Sequence, residues 1–215
     1  MEFRSGLVCL ALLQGLLGNP ALAQQADVYT IDSNNSILRV YVGRAGVLAR
    51  MGHNHVVHTR ELSGQVLVAD DPMRSSAFFS FPVSSFVVDD AAERERAGDG
   101  YDSQPGSRAI EGTRRNMLGE DLLNAEVFPM IAMRVTPVSV LGEDWSFSVA
   151  IDMLGSTFSH EIPARVTIND ESVSVSASFT LQHEDLGLSP YSAAGGSLRV
   201  AGALDFELQI SATRQ

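Results

Sequence analysis

Cysteine, lysine and long apolar segments are scarce or missing in this 215-residue chain. Its single cysteine, Cys9, lies in an apolar run near the N-terminus, and all fifteen basic residues are arginine. Beyond Cys9 the chain therefore cannot form disulfides, bind zinc through cysteine or use thiol catalysis. Without lysine it cannot form a Schiff base with a carbonyl substrate. We expect a fold that is stabilised by its hydrophobic core.

The N-terminal segment has the organisation of a secretory signal peptide. Arg4 precedes an apolar run over residues 6–17, and small residues at Ala21 and Ala23 form a cleavage pattern. The apolar run is too short to span a bilayer comfortably. We predict that residues 1–23 are removed and that one domain, residues 24–215, works in the periplasm or outside the cell.

Charge and motifs narrow the range of functions. The formal net charge of −11 argues against partners such as nucleic acid or an anionic membrane surface, because both select for basic patches. The serines do not occur in the Gly-x-Ser-x-Gly elbow of many hydrolases. Neither a nucleic-acid-binding role nor a serine-hydrolase role is therefore favoured by the sequence.

Most of the chain alternates between apolar and polar residues with a period of two, which is typical of strands with one buried face. In Val173–Leu181 the odd positions are apolar, and in the last strand the even positions from Leu198 to Ile210 are mostly apolar. The pattern predicts eight strands. They are Ser36–Gly43, Val56–Ala69, Ser76–Val83, Pro129–Leu141, Trp145–Met153, Ile162–Ile168, Val173–Leu181 and Leu198–Ile210.

A single helix is predicted over Ala109–Ala125, where Met117, Leu118, Leu122 and Leu123 form an apolar stripe. The charged, glycine-containing residues 89–107 are predicted to be a surface loop. The fold class is all-β, and the strands could close into an antiparallel barrel or form a sandwich of two sheets. Periodicity alone is compatible with both architectures.

Three of the five histidines lie in residues 50–60, Arg-Met-Gly-His-Asn-His-Val-Val-His-Thr-Arg. If the alternation of Val66 and Val68 continues backwards, Asn54 and His58 face the interior while His53 and His55 face outwards. The same counting places His160 and His183 inside, at strand ends. We expect a polar mouth built from Asn54, His58, His160 and His183. The alternative is that a backbone group or water satisfies each ring separately.

A metal site is the other interpretation of this segment. His53 and His55 lie two residues apart, so on a strand their rings would share a face, and imidazole binds zinc, copper or iron. Two ligands do not complete a site, and because His58 is predicted to lie on the opposite face, a third ligand would have to come from a distant part of the chain. The pair is therefore an alternative and not the main prediction.

Four short motifs resemble the YceI-like family of exported, lipocalin-like proteins associated with polyisoprenoid binding. They are Tyr29-Thr-Ile-Asp32, Leu62-Ser-Gly-Gln-Val66, Asn124-Ala-Glu-Val-Phe-Pro129 and Asp185-Leu-Gly-Leu188. The sequence departs from the family at residues 113–117, where a family Arg-Asp-x-His-Leu stretch is replaced by Thr-Arg-Arg-Asn-Met. The Gly-His-Asn-His segment and residues 187–200 resemble a divergent branch of the family.

The resemblance implies an eight-stranded antiparallel lipocalin-like barrel with one covering α-helix and an apolar channel for an isoprenoid lipid or quinone. The expected lining is Phe79, Phe81, Trp145, Phe147, Met153, Phe179, Leu181, Phe206 and Leu208. The resemblance thus implies a binding protein that is not an enzyme and does not span the membrane. Its expected partner is an amphiphilic lipid, with no other cofactor, and the protein could form a homodimer. The alternatives are a histidine-dependent metal- or haem-binding redox protein and a stress protein without a specific ligand.

Overall fold

The computed structural model describes residues 26–214, so the predicted signal peptide lies outside the described residues. Twelve strands are assigned within that range. They are β1 Ala26–Ile31, β2 Ile37–Ala45, β3 His55–Thr59, β4 Ser63–Ala69, β5 Ser76–Pro82, β6 Val87–Val88, β7 Met130–Leu141, β8 Asp144–Met153, β9 Ser156–Ile168, β10 Ser172–Gln182, β11 Ser192–Ala193 and β12 Leu198–Arg214. The helices are α1 Ala91–Ala97 and α2 Ser107–Leu118, with 3₁₀ turns at Ser33–Asn35, Ala49–Met51, Pro72–Arg74, Val83–Ser85, His183–Leu186 and Ala194–Gly196.

These strands form a closed antiparallel barrel with eight strand positions around its circumference, which we call staves. Five staves are the unbroken strands β7, β8, β9, β10 and β12, and the other three are strand pairs β1/β2, β3/β4 and β5/β6, each interrupted once. The last strand, β12, pairs with β10 on one side and with both β1 and β2 on the other, which closes the ring. The prediction of a barrel is therefore confirmed, and the sandwich is excluded.

Side-chain alternation within the unbroken strands follows the sequence pattern. Val173 and Ala177 in β10 are buried, as are Trp145 and Val149 in β8. Tight turns join these strands, and at Gly142 and Gly155 the backbone has a positive φ of 61° and 71° that glycine adopts without strain. The inward faces meet to form one hydrophobic core.

The break between β3 and β4 reverses which positions face the interior. In β4 the even-numbered Val66 and Val68 contact the interior space, whereas in β3 it is the odd-numbered His55 and Val57. Arg60 and Glu61, two consecutive exposed residues, interrupt the alternation between them. A face assigned in β4 therefore cannot be extended into β3.

The helices differ from the prediction in two ways. Helix α2 begins at Ser107 and ends at Leu118, followed by turns, instead of continuing to Ala125. The predicted surface loop contains a second helix, α1, which packs on the outer side of β3. Asp90 caps α1 by accepting hydrogen bonds from the backbone N–H groups of Ala92 and Glu93, and Gly98 ends it. An aspartate at this position favours the start of a helix, so the sequence alone contained a signal for α1.

Within residues 26–214, no helix combines the length and the apolar character needed to cross a membrane.

Candidate functional site

Two cavities lie inside the barrel, one nearer each end. The narrow cavity has a volume of about 130 Å³ and is bordered by β8, β9, β10 and β4 residues such as Trp145, Val166, Val173 and Val68. The wide cavity has a volume of about 490 Å³ and is bordered by β2, β3, α2 and the start of β12. Phe206 borders both cavities, so its ring stands between them.

The narrow cavity is lined almost entirely by apolar side chains. Seven of the nine residues predicted for the channel border it, namely Phe79, Trp145, Phe147, Phe179, Leu181, Phe206 and Leu208. The rings of Phe179 and Phe206 are stacked with centroids 5.0 Å apart, and Trp145 and Phe147 are stacked at 5.5 Å. Such a space is suited to hydrocarbon, because it offers a polar ligand almost no hydrogen-bonding partner.

The other two predicted channel residues lie elsewhere. Phe81 is only 1% exposed and packs edge-to-face on Phe86 with centroids 5.3 Å apart, so it belongs to the packed core and borders neither cavity. Met153 borders the wide cavity.

The wide cavity combines apolar walls with basic side chains. His53, His55, His183, Arg44 and Arg199 border it, and α2 closes one side. Met117, Leu122 and Leu123, which were predicted as the apolar stripe of the helix, also border it. Among the described residues that border this cavity, none is Asp or Glu. The wall is therefore positive or neutral, although the whole chain is acidic.

His55 is held in place from behind by a buried carboxylate. Its Nδ1 lies 2.6 Å from Oδ2 of Asp89, whose side chain is completely buried. Because an ionised carboxylate only accepts hydrogen bonds, Nδ1 carries the proton and donates it. Nε2 is then the ring nitrogen that can meet a ligand in the cavity, and the carboxylate fixes the ring orientation.

The carboxylate of Asp89 has two further partners, and its backbone is strained. Its Oδ1 accepts from Nη1 of Arg94 at 2.5 Å and from the backbone N–H of Val56 at 3.1 Å. Burial acts to raise the pKa of Asp89, but the bonds from His55, Val56 and Arg94 outweigh it and hold the pKa below its ordinary value. Its φ of 54° is costly for a residue with a side chain, so these contacts must over-determine its position.

His183 borders the wide cavity, at the end of β10, as the sequence predicts. The ring is only 4% exposed, and its Nδ1 lies 2.8 Å from the carbonyl oxygen of Gly202. A carbonyl can only accept, so Nδ1 donates, and in a neutral ring Nε2 is then the acceptor. His55 and His183 thus have the same tautomer for independent reasons.

The predicted orientation of the Gly-His-Asn-His segment was wrong. His53 and His55 face the interior, whereas Asn54 and His58 face away from it, because the break at residues 60–62 reverses the alternation. Asn54 has a structural role, since its Oδ1 accepts from the backbone of Arg44 at 3.1 Å and its Nδ2 donates to Gly100 at 3.1 Å.

His58 is buried on the outer side of the barrel, near α1 and a buried ion pair between Arg39 and Glu93. Burial lowers the pKa of His58, an effect opposed by Glu93 and Asp90 and reinforced by Arg60 and Arg39. Its Nδ1 has no hydrogen-bond partner within the described part of the chain. His58 is therefore a neutral, buried ring outside the candidate site.

His160 is not part of a polar mouth. Its ring is hydrogen-bonded to a backbone group, which was the alternative given for each predicted histidine. It lies on the same side of β9 as the inward-facing Ile162, but it borders neither cavity. Its Nε2 lies 3.0 Å from the carbonyl oxygen of Asp185. The predicted polar mouth thus keeps one of its four members, His183, and gains His53 and His55.

The metal alternative depends on whether ligands come together. The rings of His53 and His55 face each other edge-on with centroids 6.4 Å apart. Within residues 26–214, no group of three His, Cys, Asp or Glu side chains is close enough to hold a metal ion.

Several residues of the site were missed from the sequence. Arg44 and Arg199 are separated by more than 150 residues, yet β2 and β12 pair and bring Val200 opposite Arg44. Asp89 was assigned to a loop, and nothing in the local pattern marks it as the partner of His55. A sequence signal does exist for the positive wall, because residues 33–60 and 186–204 contain no Asp or Glu.

Comparisons with known proteins identify the family. The YceI-like domain model matches residues 29–212. The crystal structure of BcnA from Burkholderia cenocepacia superposes with a TM-score of 0.61 at 12% identity, covering 84% of this chain and 98% of that one. A YceI protein from Campylobacter jejuni superposes with a TM-score of 0.52 at 8% identity, covering 74% and 84%. A mutant of that protein with a monobromobimane guest gives 0.53 at 7% identity, with the same coverage.

No curated protein matches the sequence significantly. At these identities the solved structures support the lipocalin-like barrel fold alone, whereas the family model covers most of the sequence. The chain belongs to the YceI-like family.

Proposed function

We propose that this chain is an exported protein that binds an isoprenoid or similar amphiphilic lipid inside its barrel. The observation that supports this proposal is the pair of cavities that share Phe206 but differ in wall chemistry. A hydrocarbon tail suits the narrow cavity and a polar head suits the wide one. The barrel fold and the family are consistent with a binding protein, and the proposal adds the ligand class and the export.

The narrow cavity is small for a long chain. At about 130 Å³ it resembles an engineered apolar cavity of ~150 Å³ that binds benzene, so one short branched segment would fill it. A longer chain requires the Phe206 ring to turn away from its stack on Phe179. Each methylene buried contributes about 0.8 kcal/mol, so a few carbons past Phe206 would offset the loss of that stack.

The wide cavity favours a head group that is polar or negatively charged. Its volume of about 490 Å³ is within the range of roughly 300–1,000 Å³ that small-molecule sites occupy. Nε2 of a neutral His55 or His183 can accept a hydrogen bond from a hydroxyl head group, and Arg44 and Arg199 supply the positive charge that would bind an anionic one. In this role the histidines bind and orient the head group, and we propose no catalysis.

The experiment that tests the proposal is mass spectrometry of the protein purified, without an affinity tag, from its own host compartment. A native spectrum and a denaturing spectrum of the same sample should differ by a lipid that denaturation releases. A released metal or haem would support the redox alternative instead. A clean mass of the protein alone under gentle conditions would contradict both.

A charged residue in the narrow cavity should prevent lipid binding. Phe147→Asp and Phe179→Asp each place a carboxylate in an apolar wall, where it cannot be solvated beside a hydrocarbon tail. Phe78→Asp is the matched control, because Phe78 is next to Phe79 in β5 but points outwards and is 49% exposed. Folded mutants that retain lipid like the control would remove this cavity from the proposal.

A further inference from the structure

Exposed apolar side chains lie beside the opening of the wide cavity. The loop between β2 and β3 presents Val47 at 88%, Leu48 at 40% and Met51 at 74% exposure, and Tyr191 beside it is 45% exposed. We call these four residues the rim. Single exposed apolar residues are common, but four such residues beside one opening form a patch of the kind that binds a partner.

The rim is tied to the cavity and to a second segment of the barrel. Met51 and Tyr191 border the wide cavity themselves. The backbone N–H of Leu48 donates to the carbonyl of Ser197 at 2.9 Å. A side chain at Gly46, whose φ is 93°, would come within 2.5 Å of the same oxygen. The loop is therefore seated tightly on the start of β12, and its apolar tip stays directed outwards.

The two segments that frame the opening have a charge opposite in sign to that of the whole chain. Arg44, Arg50 and Arg199 are all exposed at this end. The two segments that frame the opening, residues 33–60 and 186–204, contain no acidic residue, although the chain has 26 Asp and Glu. Although the protein as a whole is acidic, the two segments at this end carry arginine and no carboxylate. Their surface is therefore suited to an anionic partner.

We propose that the rim docks on an anionic lipid membrane, with the opening of the wide cavity facing the lipid. Apolar side chains flanked by arginine are the pattern of interfacial membrane binding, where burial of the tip and attraction to anionic head groups add together. This inference rests on the proposed function, because a lipid could then pass between membrane and cavity without crossing water. It departs from the expectation drawn from net charge, which did not consider where on the surface the charges lie.

The test is flotation of the purified protein with vesicles of equal parts phosphatidylglycerol and phosphatidylcholine at low salt. We expect binding that weakens as salt rises and is lost with phosphatidylcholine alone. The test variants are Val47→Asp in the rim and Arg50→Ser in the same loop, because neither residue borders a cavity. We call both of them rim variants. Val47→Asp should weaken vesicle binding at least tenfold, and Arg50→Ser roughly fivefold, the value expected for one basic residue at an anionic surface.

Matched controls come from the opposite end of the barrel. Leu141, the last residue of β7, is 81% exposed, and Arg74 is exposed in the turn before β5. Leu141→Asp and Arg74→Ser should bind vesicles like the wild type. Equal losses of vesicle binding in the rim variants and in the control variants would overturn the proposal that the rim is a docking surface. A wild-type protein that does not float with the vesicles would also overturn it.

Lipid retention, measured by mass spectrometry on the same preparations, separates this proposal from the proposed function. Retained lipid without vesicle binding overturns the docking inference alone. A rim variant that loses self-association in analytical ultracentrifugation, while the wild type fails to float, would show that the rim binds a second copy, and it would overturn membrane docking. Wild-type flotation with loss in the rim variants supports it.

Discussion

At the scale of single residues, Asp89 is the carboxylate on which the candidate site depends. It joins His55, Val56 and Arg94 while its own side chain is completely buried. We expect Asp89→Asn to destabilise the protein by about 3 kcal/mol, because it leaves the buried Arg94 without its charged partner. Urea denaturation followed by circular dichroism measures this.

The control for Asp89 is Asp152→Asn. Asp152 also pairs with an arginine, Arg134, but both side chains are partly exposed. Its denaturation midpoint should match that of the wild type, since pairs of this kind contribute little. Equal effects of the two substitutions would contradict the role assigned to Asp89.

His58 predicts a pH dependence of stability. Its folded-state pKa lies below its ordinary value because of burial. Between the ordinary pKa of about 6.5 and the lower folded value, the unfolded chain binds more protons than the folded one. Stability should therefore fall as the pH drops through that window, and His58→Gln should lose that part of the dependence.

The measurement is the free energy of unfolding in urea at a series of pH values from 7.5 to about 5. Asp89 and Glu93 have lowered pKa values. Their contribution to stability is therefore lost only at more acidic pH, as the pH falls through the folded-state pKa of each carboxyl group. At pH values above the range in which Asp89 and Glu93 titrate, the curves of unfolding free energy against pH should differ in slope between wild type and His58→Gln. Parallel curves there would rule out the proposed protonation state of His58.

At the scale of elements, β4 can lie against β5 only because position 64 has no side chain. A Cβ on Gly64 would lie 2.1 Å from the carbonyl oxygen of Phe78, and the φ of Gly64 is 157°. Gly64→Ala should therefore cost roughly 3 kcal/mol or more, because a strand backbone would have to move. The thermal unfolding midpoint measures the loss.

Gly112→Ala in α2 should have the opposite sign. Its added Cβ would approach only the flexible end of Arg115, at 3.9 Å. Alanine in a helix interior is favoured over glycine by roughly 0.5–1 kcal/mol, so the midpoint should rise. A fall at both positions would mean that the packing around Gly64 is not the reason for its effect.

The elements were predictable where each strand could be read alone. The alternation of Val173–Leu181 and of Trp145–Met153 gave the correct faces, since both strands are unbroken. Across residues 60–62 the same counting failed, because a break in a strand is set by how its neighbours pair and not by its own pattern. Helix α1 was missed because its charge suggested a loop, although Glu93 and Arg94 are buried.

At the scale of the whole molecule, Phe206 separates the two cavities. We expect Phe206→Ala to join them and so to lengthen the longest hydrocarbon chain that the protein holds. The measurement is native mass spectrometry of the protein with a mixture of primary alcohols of different chain length. A distribution unchanged from wild type would contradict the separating role, whereas Phe78→Ala, on the outer face, should leave it unchanged.

The apolar half of the site could be predicted from the sequence, and the polar half could not. Seven lining residues followed from the faces of single strands. The residues of the wide cavity come from β2, β3, β10, β12 and α2, which meet only when the barrel closes. His55 and Asp89 are partners through the pairing of β3 with β6 and the residue after it, a contact that no local pattern encodes.

The break between β3 and β4 has a consequence for how the family can vary. It separates β4, whose Val66 borders the narrow cavity, from β3, whose His55 borders the wide cavity. Because alternation restarts at the break, residues on one side can change, or gain a position, without turning the other side over. Under the proposed function, preference for a tail and preference for a head group can therefore evolve separately along these two strands.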